Sequence, residues 1–99
     1  MKTQANGDVL MVMELERLDG VNSNFVKEIV KTRLREDQRI VEIDCAKVKS
    51  IDSEGLGALV SINKLVAPRN GLVRLNKVQP LIRGFLELVK FHQFLEIND

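Results

Sequence analysis

The stretch from Arg39 to Gly57 restricts the fold more than any other part of the chain. Arg39-Ile40-Val41-Glu42-Ile43-Asp44-Cys45 alternates, with Val41, Ile43 and Cys45 on one side and Ile40, Glu42 and Asp44 on the other. A period of two belongs to a strand with one buried face. A loop follows, Ala46–Asp52. Asp52-Ser53-Glu54-Gly55-Leu56-Gly57 then reads as a helix start. Asp52 and Ser53 are N-cap residue types, and an acidic residue is favoured in the first turn by the helix dipole. This helix runs from Glu54 to about Val66, with Leu56, Leu59, Val60 and Leu65 supplying much of its apolar surface. Pro68 blocks its continuation, and Asn70-Gly71 accepts the left-handed conformation that ends it.

The same alternation of elements extends in both directions. Val9-Leu10-Met11-Val12-Met13-Glu14-Leu15 is an apolar run of strand length, in which Met11 and Met13 share a side and read as core. Little room is left for a strand before Val9. Asp19-Gly20 marks a turn. Phe25, Val26, Ile29, Val30 and Leu34 then form one face of an amphipathic helix, with Asn22 or Ser23 as its N-cap and Glu36-Asp37-Gln38 as a polar exit. Gly71–Asn76 is a third strand with Val73 and Leu75 inward. Pro80 suits a first helical turn, and Leu81, Ile82, Phe85, Leu86, Leu88 and Val89 give that helix its apolar residues. Phe94-Leu95-Glu96-Ile97 closes the chain as a short strand. Strands alternating with helices imply parallel pairing with right-handed crossovers. The expected fold is α/β, built on a small, mostly parallel mixed sheet. Two-sided burial would give unbroken apolar strands. The alternating strands instead place the helices on one face and leave the other partly wet.

Several classes of function lose support from composition. The 99 residues suffice for one small domain, 1–99, and the 44% hydrophobic and 29% charged residues are those of a globular protein. Net charge is +1, and there is no Trp or Tyr to stack on bases, so nucleic-acid binding is not expected. Cys45 and His92 are the only residues of their types. They exclude an internal disulfide and give no zinc spacing. Cys45 reads as a small buried hydrophobe, Asp44 as a loop cap, and His92 as a turn residue without a triad partner. No Walker-type loop or paired carboxylate is present, so neither an enzyme nor a cofactor is expected. No apolar run has the length to span a bilayer, and none follows Lys2 as in a signal peptide. The expectation is a cytoplasmic protein.

That leaves the start of the central helix as the candidate surface. Helix N-termini present free N–H groups and partial positive charge. Glycine inside a helix weakens it. Gly55 and Gly57 therefore point to close packing there, by the sheet or by a second protein.

The stretch Val41-Glu42-Ile43-Asp44-Cys45-Ala46-Lys47-Val48-Lys49-Ser50-Ile51-Asp52-Ser53-Glu54-Gly55-Leu56-Gly57-Ala58-Leu59 resembles the core of STAS domains, those of bacterial anti-sigma factor antagonists. Their signature is an apolar strand ending in Asp, a short loop, and Asp-Ser-Ser/Thr-Gly-Leu-Gly opening a helix. Phe85-Leu86-Glu87-Leu88-Val89-Lys90-Phe91 adds to the likeness, which spans about residues 9 to 97. The resemblance implies a (βα) superhelix and a protein-binding switch. In typical members the hydroxyl residue before Gly-Leu-Gly is phosphorylated by an anti-sigma factor kinase, and only the unmodified form binds that kinase. Here Glu54 stands at that position. Ser53 matches the preceding serine, ordinarily not the acceptor. Lys90 occupies a place often held by Gly, and the family's usual terminal helix has no counterpart after the last strand. The implied partner-binding residues are Asp19, Asp52, Ser53, Glu54, Gly55, Leu56 and Gly57. The implied partner is an anti-sigma factor of the serine kinase type. The alternative is a subunit of a transporter or membrane-lipid transport complex.

Overall fold

A hairpin opens the chain in the computed structural model, which describes residues 1–99. Strands β1 (Lys2–Asn6) and β2 (Val9–Met13) pair antiparallel, with Lys2 opposite Met13 and Asn6 opposite Val9. Gly7, at φ 61°, supplies the left-handed residue that a two-residue hairpin turn requires. This corrects the expectation that no strand fits before Val9. β1 reads Lys-Thr-Gln-Ala-Asn and is almost wholly exposed, so apolar periodicity carries no trace of it. The Gly7-Asp8 turn was the available signal.

Beyond the hairpin the elements are α1 (Ser23–Arg33), β3 (Ile40–Asp44), α2 (Ser53–Val66), β4 (Leu72–Asn76), α3 (Pro80–Leu88) and β5 (Glu96–Ile97). The sheet order is β1-β2-β3-β4-β5, with every pair after the hairpin parallel. Spatial order equals chain order, so each crossover advances the chain by one strand and winds it into a superhelix. Leu10, Val12, Val41, Ile43, Val73 and Leu75 point to one face. They join Val26 and Val30 of α1, Leu59, Ile62 and Val66 of α2, and Ile82 and Leu86 of α3 in a single core. The opposite face holds Val9, Met11, Met13, Ile40 and Leu72, all half-buried. Across it, Arg74 bridges Glu42 (3.0 Å) and Glu96 (2.7 Å). The one-sided arrangement read from the alternating strands therefore holds.

Four readings of local burial need correction. Met11 and Met13 lie on the open face, because Leu10 and Val12 take the inward positions of β2. Phe25 is 59% exposed. At about 100° per residue it sits a quarter-turn from Val26, on the shoulder of α1. In α2 the buried residues are Gly55, Ala58, Leu59, Ile62 and Val66, while Leu56, Val60 and Leu65 flank them. In α3 only Ile82 and Leu86 are buried, and Leu81 and Leu88 point outward. The last strand is also shorter than its apolar run, because Phe91–Gln93 forms a 3-10 turn before it. Lys90 precedes that turn in the left-handed region, at φ 65°, which is the conformation that glycine adopts without strain.

Far from the candidate helix start, Gln38 is fully buried rather than a polar exit. Its amide accepts from Arg35 N (2.9 Å) and donates to Val9 O (3.3 Å), and Arg69 donates to the carbonyls of Arg35 and Gln38 (both 2.8 Å). These bonds lock the amino edge of the sheet. Residues that could act on a partner gather at the other edge.

Candidate protein-docking site

The β2–α1 and β3–α2 loops meet at the carboxyl edge of the parallel strands, where open α/β sheets present their ligand-facing loops. Leu18 N donates to Ser50 O (2.9 Å) and Lys49 N to Glu16 O (3.2 Å), and Leu18 pairs with Ile51 as a lone parallel bridge. The two loops thus behave as one backbone unit.

Asp19 holds the first loop together. Its carboxylate accepts from Arg17 Nε (3.0 Å), Ser50 Oγ (2.7 Å) and Val21 N (3.0 Å), and the residue is only 5% exposed. The Arg17 hydrogen bond, followed by that from Ser50, holds its pKa down at about 2. Asn22 precedes α1, yet its side chain does not cap the helix. It turns back, accepting from Asp19 N (3.1 Å) and donating to Arg17 O (2.6 Å). Asp19 accordingly shapes the surface from beneath and does not project from it.

Asp52 joins that loop to the helix. One carboxylate oxygen accepts from Glu54 N and Gly55 N (both 3.0 Å), and the other from Gly20 N (3.1 Å). Such a cap contributes about 1 kcal/mol to a helix. Ser53 was expected to share this role, but its side chain makes no hydrogen bond. Asp52 already serves the N–H groups that Ser53 could have reached, so the Ser53 hydroxyl is left at the exposed rim. Asp44 does cap the following loop, accepting from Ala46 N (2.9 Å).

The two glycines now separate. A Cβ on Gly55 would collide with the Leu18 carbonyl oxygen, whereas one on Gly57 would meet nothing within 4 Å. Gly55 is the seam between α2 and the first loop. Gly57 faces an open groove between α1 and α2, lined by Ser23, Asn24, Lys27, Glu54 and Ser61. Leu56, between them, is half-buried against the core.

Glu54 stands at the mouth of this groove. It is exposed, its carboxylate makes neither a hydrogen bond nor an ion pair, and it lies over Gly20, where a Cβ would come within 2.7 Å of Oε2. Val21 (75% exposed) and Phe25 (59%) stand on the neighbouring loop and helix. The result is one unpaired carboxylate, bare backbone at Gly57, and two unburied apolar side chains. Sequence reasoning did not find Arg17, Ser50 or Lys27, and it read Asn22 as a helix cap. Ser50 meets Asp19 across 31 residues of chain, and no local spacing announces such a pair. His92 is exposed in its turn, and Cys45 is buried, with burial pushing its thiol up to about 12.

The five-stranded sheet with three helices on one face is the fold of solved anti-sigma factor antagonists. The sequence matches the STAS domain over residues 1–99, and the chain belongs to that family. No curated protein sequence matches it. Among solved structures it is similar to TM1081 of Thermotoga maritima, assigned as an anti-sigma factor antagonist. The two share 23% identity over 99% of this chain and 85% of that one, with a TM-score of 0.88. It is similar also to the Bacillus anti-sigma factor antagonist SpoIIAA in its unphosphorylated form (11% identity, 97% and 85% covered, TM-score 0.81). A third similar structure is a sulfate transporter family protein from Wolinella succinogenes (19%, 92% and 75%, TM-score 0.70). At these identities the likeness is one of fold. No helix is long and apolar enough to cross a membrane.

Proposed function

We propose that the chain is a cytoplasmic, non-enzymatic protein-binding module of the anti-sigma factor antagonist type, with a serine kinase-type anti-sigma factor as its partner. The docking face is the start of α2 with the Asp19–Asn22 loop. Glu54 is the observation that carries this reading: an exposed, unpaired carboxylate on rigid backbone at the position where the family carries its switchable hydroxyl. A carboxylate cannot form the stable phosphate ester. Its single charge falls short of the −1.5 to −2 of a phosphate, so it sets a fixed affinity between those of the two switch states. Val21 and Phe25 supply apolar contact, and Gly57 lets a partner come close to the helix backbone.

Calorimetric titration of such a kinase with wild-type chain and with Glu54→Ser tests the reading. The serine variant binds more tightly, by roughly five- to tenfold, about 1 kcal/mol, and accepts phosphate when ATP is added. Equal affinity for both forms overturns it. The similarity to the Wolinella succinogenes transporter family protein supports a second reading, in which the same face docks on a transporter subunit. Binding to that class of partner and not to the kinase would select it.

A further inference from the structure

The groove at Gly57 runs on along the two helices. On α2 its lining continues from Glu54 and Gly57 to Ser61 and Leu65, and on α1 from Asn24 to Lys27, Glu28 and Lys31. These positions recur every three or four residues, so each helix gives the groove one outward face. Asn24 shares the hollow at one end with Glu54, and Lys31 the hollow at the other end with Leu65. The two helices therefore run in the same direction along it. From Glu54 to Leu65 the groove spans about 16 Å, three turns of helix. Charge is sorted along that length. Glu54 holds the amino end, while half-buried Lys27 and exposed Lys31 hold the rest, with exposed Glu28 offsetting one of them. None of the four takes part in an ion pair.

We propose that this groove takes one helix of the docking partner, laid antiparallel to α1 and α2. Acidic residues in its first turn lie over Lys27 and Lys31, and a basic residue in its last turn lies beside Glu54. The inference rests on the docking reading above and adds the chemistry and direction of what docks. Both walls are sides of helices, whose backbone groups are already paired. An extended segment would find no backbone there to bond with, whereas a helix satisfies its own N–H and C=O groups. Gly57, where a Cβ would meet nothing, keeps the floor low enough for a helix to come close. Two effects select the direction. The side-chain charges match only when the acidic end lies over the lysines. The antiparallel arrangement also sets the negative carboxyl end of the incoming helix near the positive amino end of α2. Acidic first-turn and basic last-turn residues stabilise a helix by themselves, so docking demands nothing that helix formation opposes.

Two Ala-rich peptides, stapled so that both are helical, test the direction. One carries Glu in its first turn and Arg in its last; the other has the same residues exchanged. Each is titrated at low salt into isotope-labelled chain and followed by amide chemical shifts. The first peptide shifts Lys27, Gly57 and Ser61 with a Kd of about 1 mM or below, and the second binds at least about fivefold more weakly. In the triple variant Lys27→Glu/Lys31→Glu/Glu54→Lys the preference reverses, which loss of folding cannot produce. Equal binding of the two peptides, no binding of either by about 2 mM, or an unchanged preference in the triple variant overturns the proposal. The kinase supplies a separate readout. Lys27→Glu/Lys31→Glu is expected to weaken its binding at least about tenfold, and kinase binding indifferent to that double variant overturns the groove assignment alone. A chain that reads the direction of the peptides but ignores the kinase supports the groove assignment and overturns the partner named above.

Discussion

Gly55 and Gly57 are two residues apart in one helix, and a methyl group would do opposite things to them. At Gly55 it meets the Leu18 carbonyl, and only a backbone shift can relieve that. Gly55→Ala is expected to cost about 1–3 kcal/mol in urea unfolding and to part the two loops of the site. Gly57→Ala meets open space and is expected to stabilise the chain by about 0.5–1 kcal/mol, while lowering partner affinity if the groove admits a second protein. From the sequence the two were equivalent, since spacing says that a glycine is present but not what faces it. Asp19 shows the same limit. Its residue type marked a turn, but its bond to Ser50 exists only in three dimensions. That bond and the Arg17 pair hold its carboxyl at about 2, below the usual 3.8. A depressed folded pKa adds stability that is complete above the unfolded value and disappears as pH falls through the folded one. Stability measured by denaturant titration therefore drops between about pH 4 and pH 2, and Asp19→Asn removes that part of the slope. An unchanged slope would mean that the carboxylate network contributes nothing.

Elements with a buried face could be read from the sequence, and those without one could not. β3, β4 and α2 emerged from apolar period and cap chemistry, with α2 starting at Ser53, one residue from the expected Glu54. β1 escaped because it buries nothing. Which edge of α1 and α3 faces inward was also obscured, since both carry more apolar residues than the core accepts. On α1 the surplus is Phe25, beside the docking face; on α3 it is Leu81 and Leu88. Lys90 is a smaller case. The sequence showed only a lysine where the family often carries glycine; the structure places it in the left-handed region, at φ 65°. A non-glycine residue there is strained, so Lys90→Gly is expected to raise stability by up to about 1 kcal/mol, read from the urea midpoint. No change, or a loss, would show that the side chain compensates.

For the molecule as a whole, topology followed from the alternation of elements, because parallel strands linked by helices have few handed solutions. The convergence of two loops on one end was not written in any single segment. The architecture also predicts a gradient of local stability. β3 and β4 are central and covered by helices, β5 has two residues, and β1 is an exposed polar edge. Amide hydrogen exchange is expected to be slowest in Val41, Ile43, Val73 and Leu75 and faster by orders of magnitude in β1. Equal protection across the sheet would contradict this.

A phosphoryl group comes and goes in the working life of a protein, whereas the carboxylate of Glu54 is installed by the ribosome and leaves only when the chain is destroyed. Whatever settles on that face meets the same sign of charge at every encounter, with no ATP consumed and no phosphatase required. Under the proposed reading, control over its occupancy passes to synthesis, turnover and competition among molecules, and the timescale of the response becomes that of gene expression.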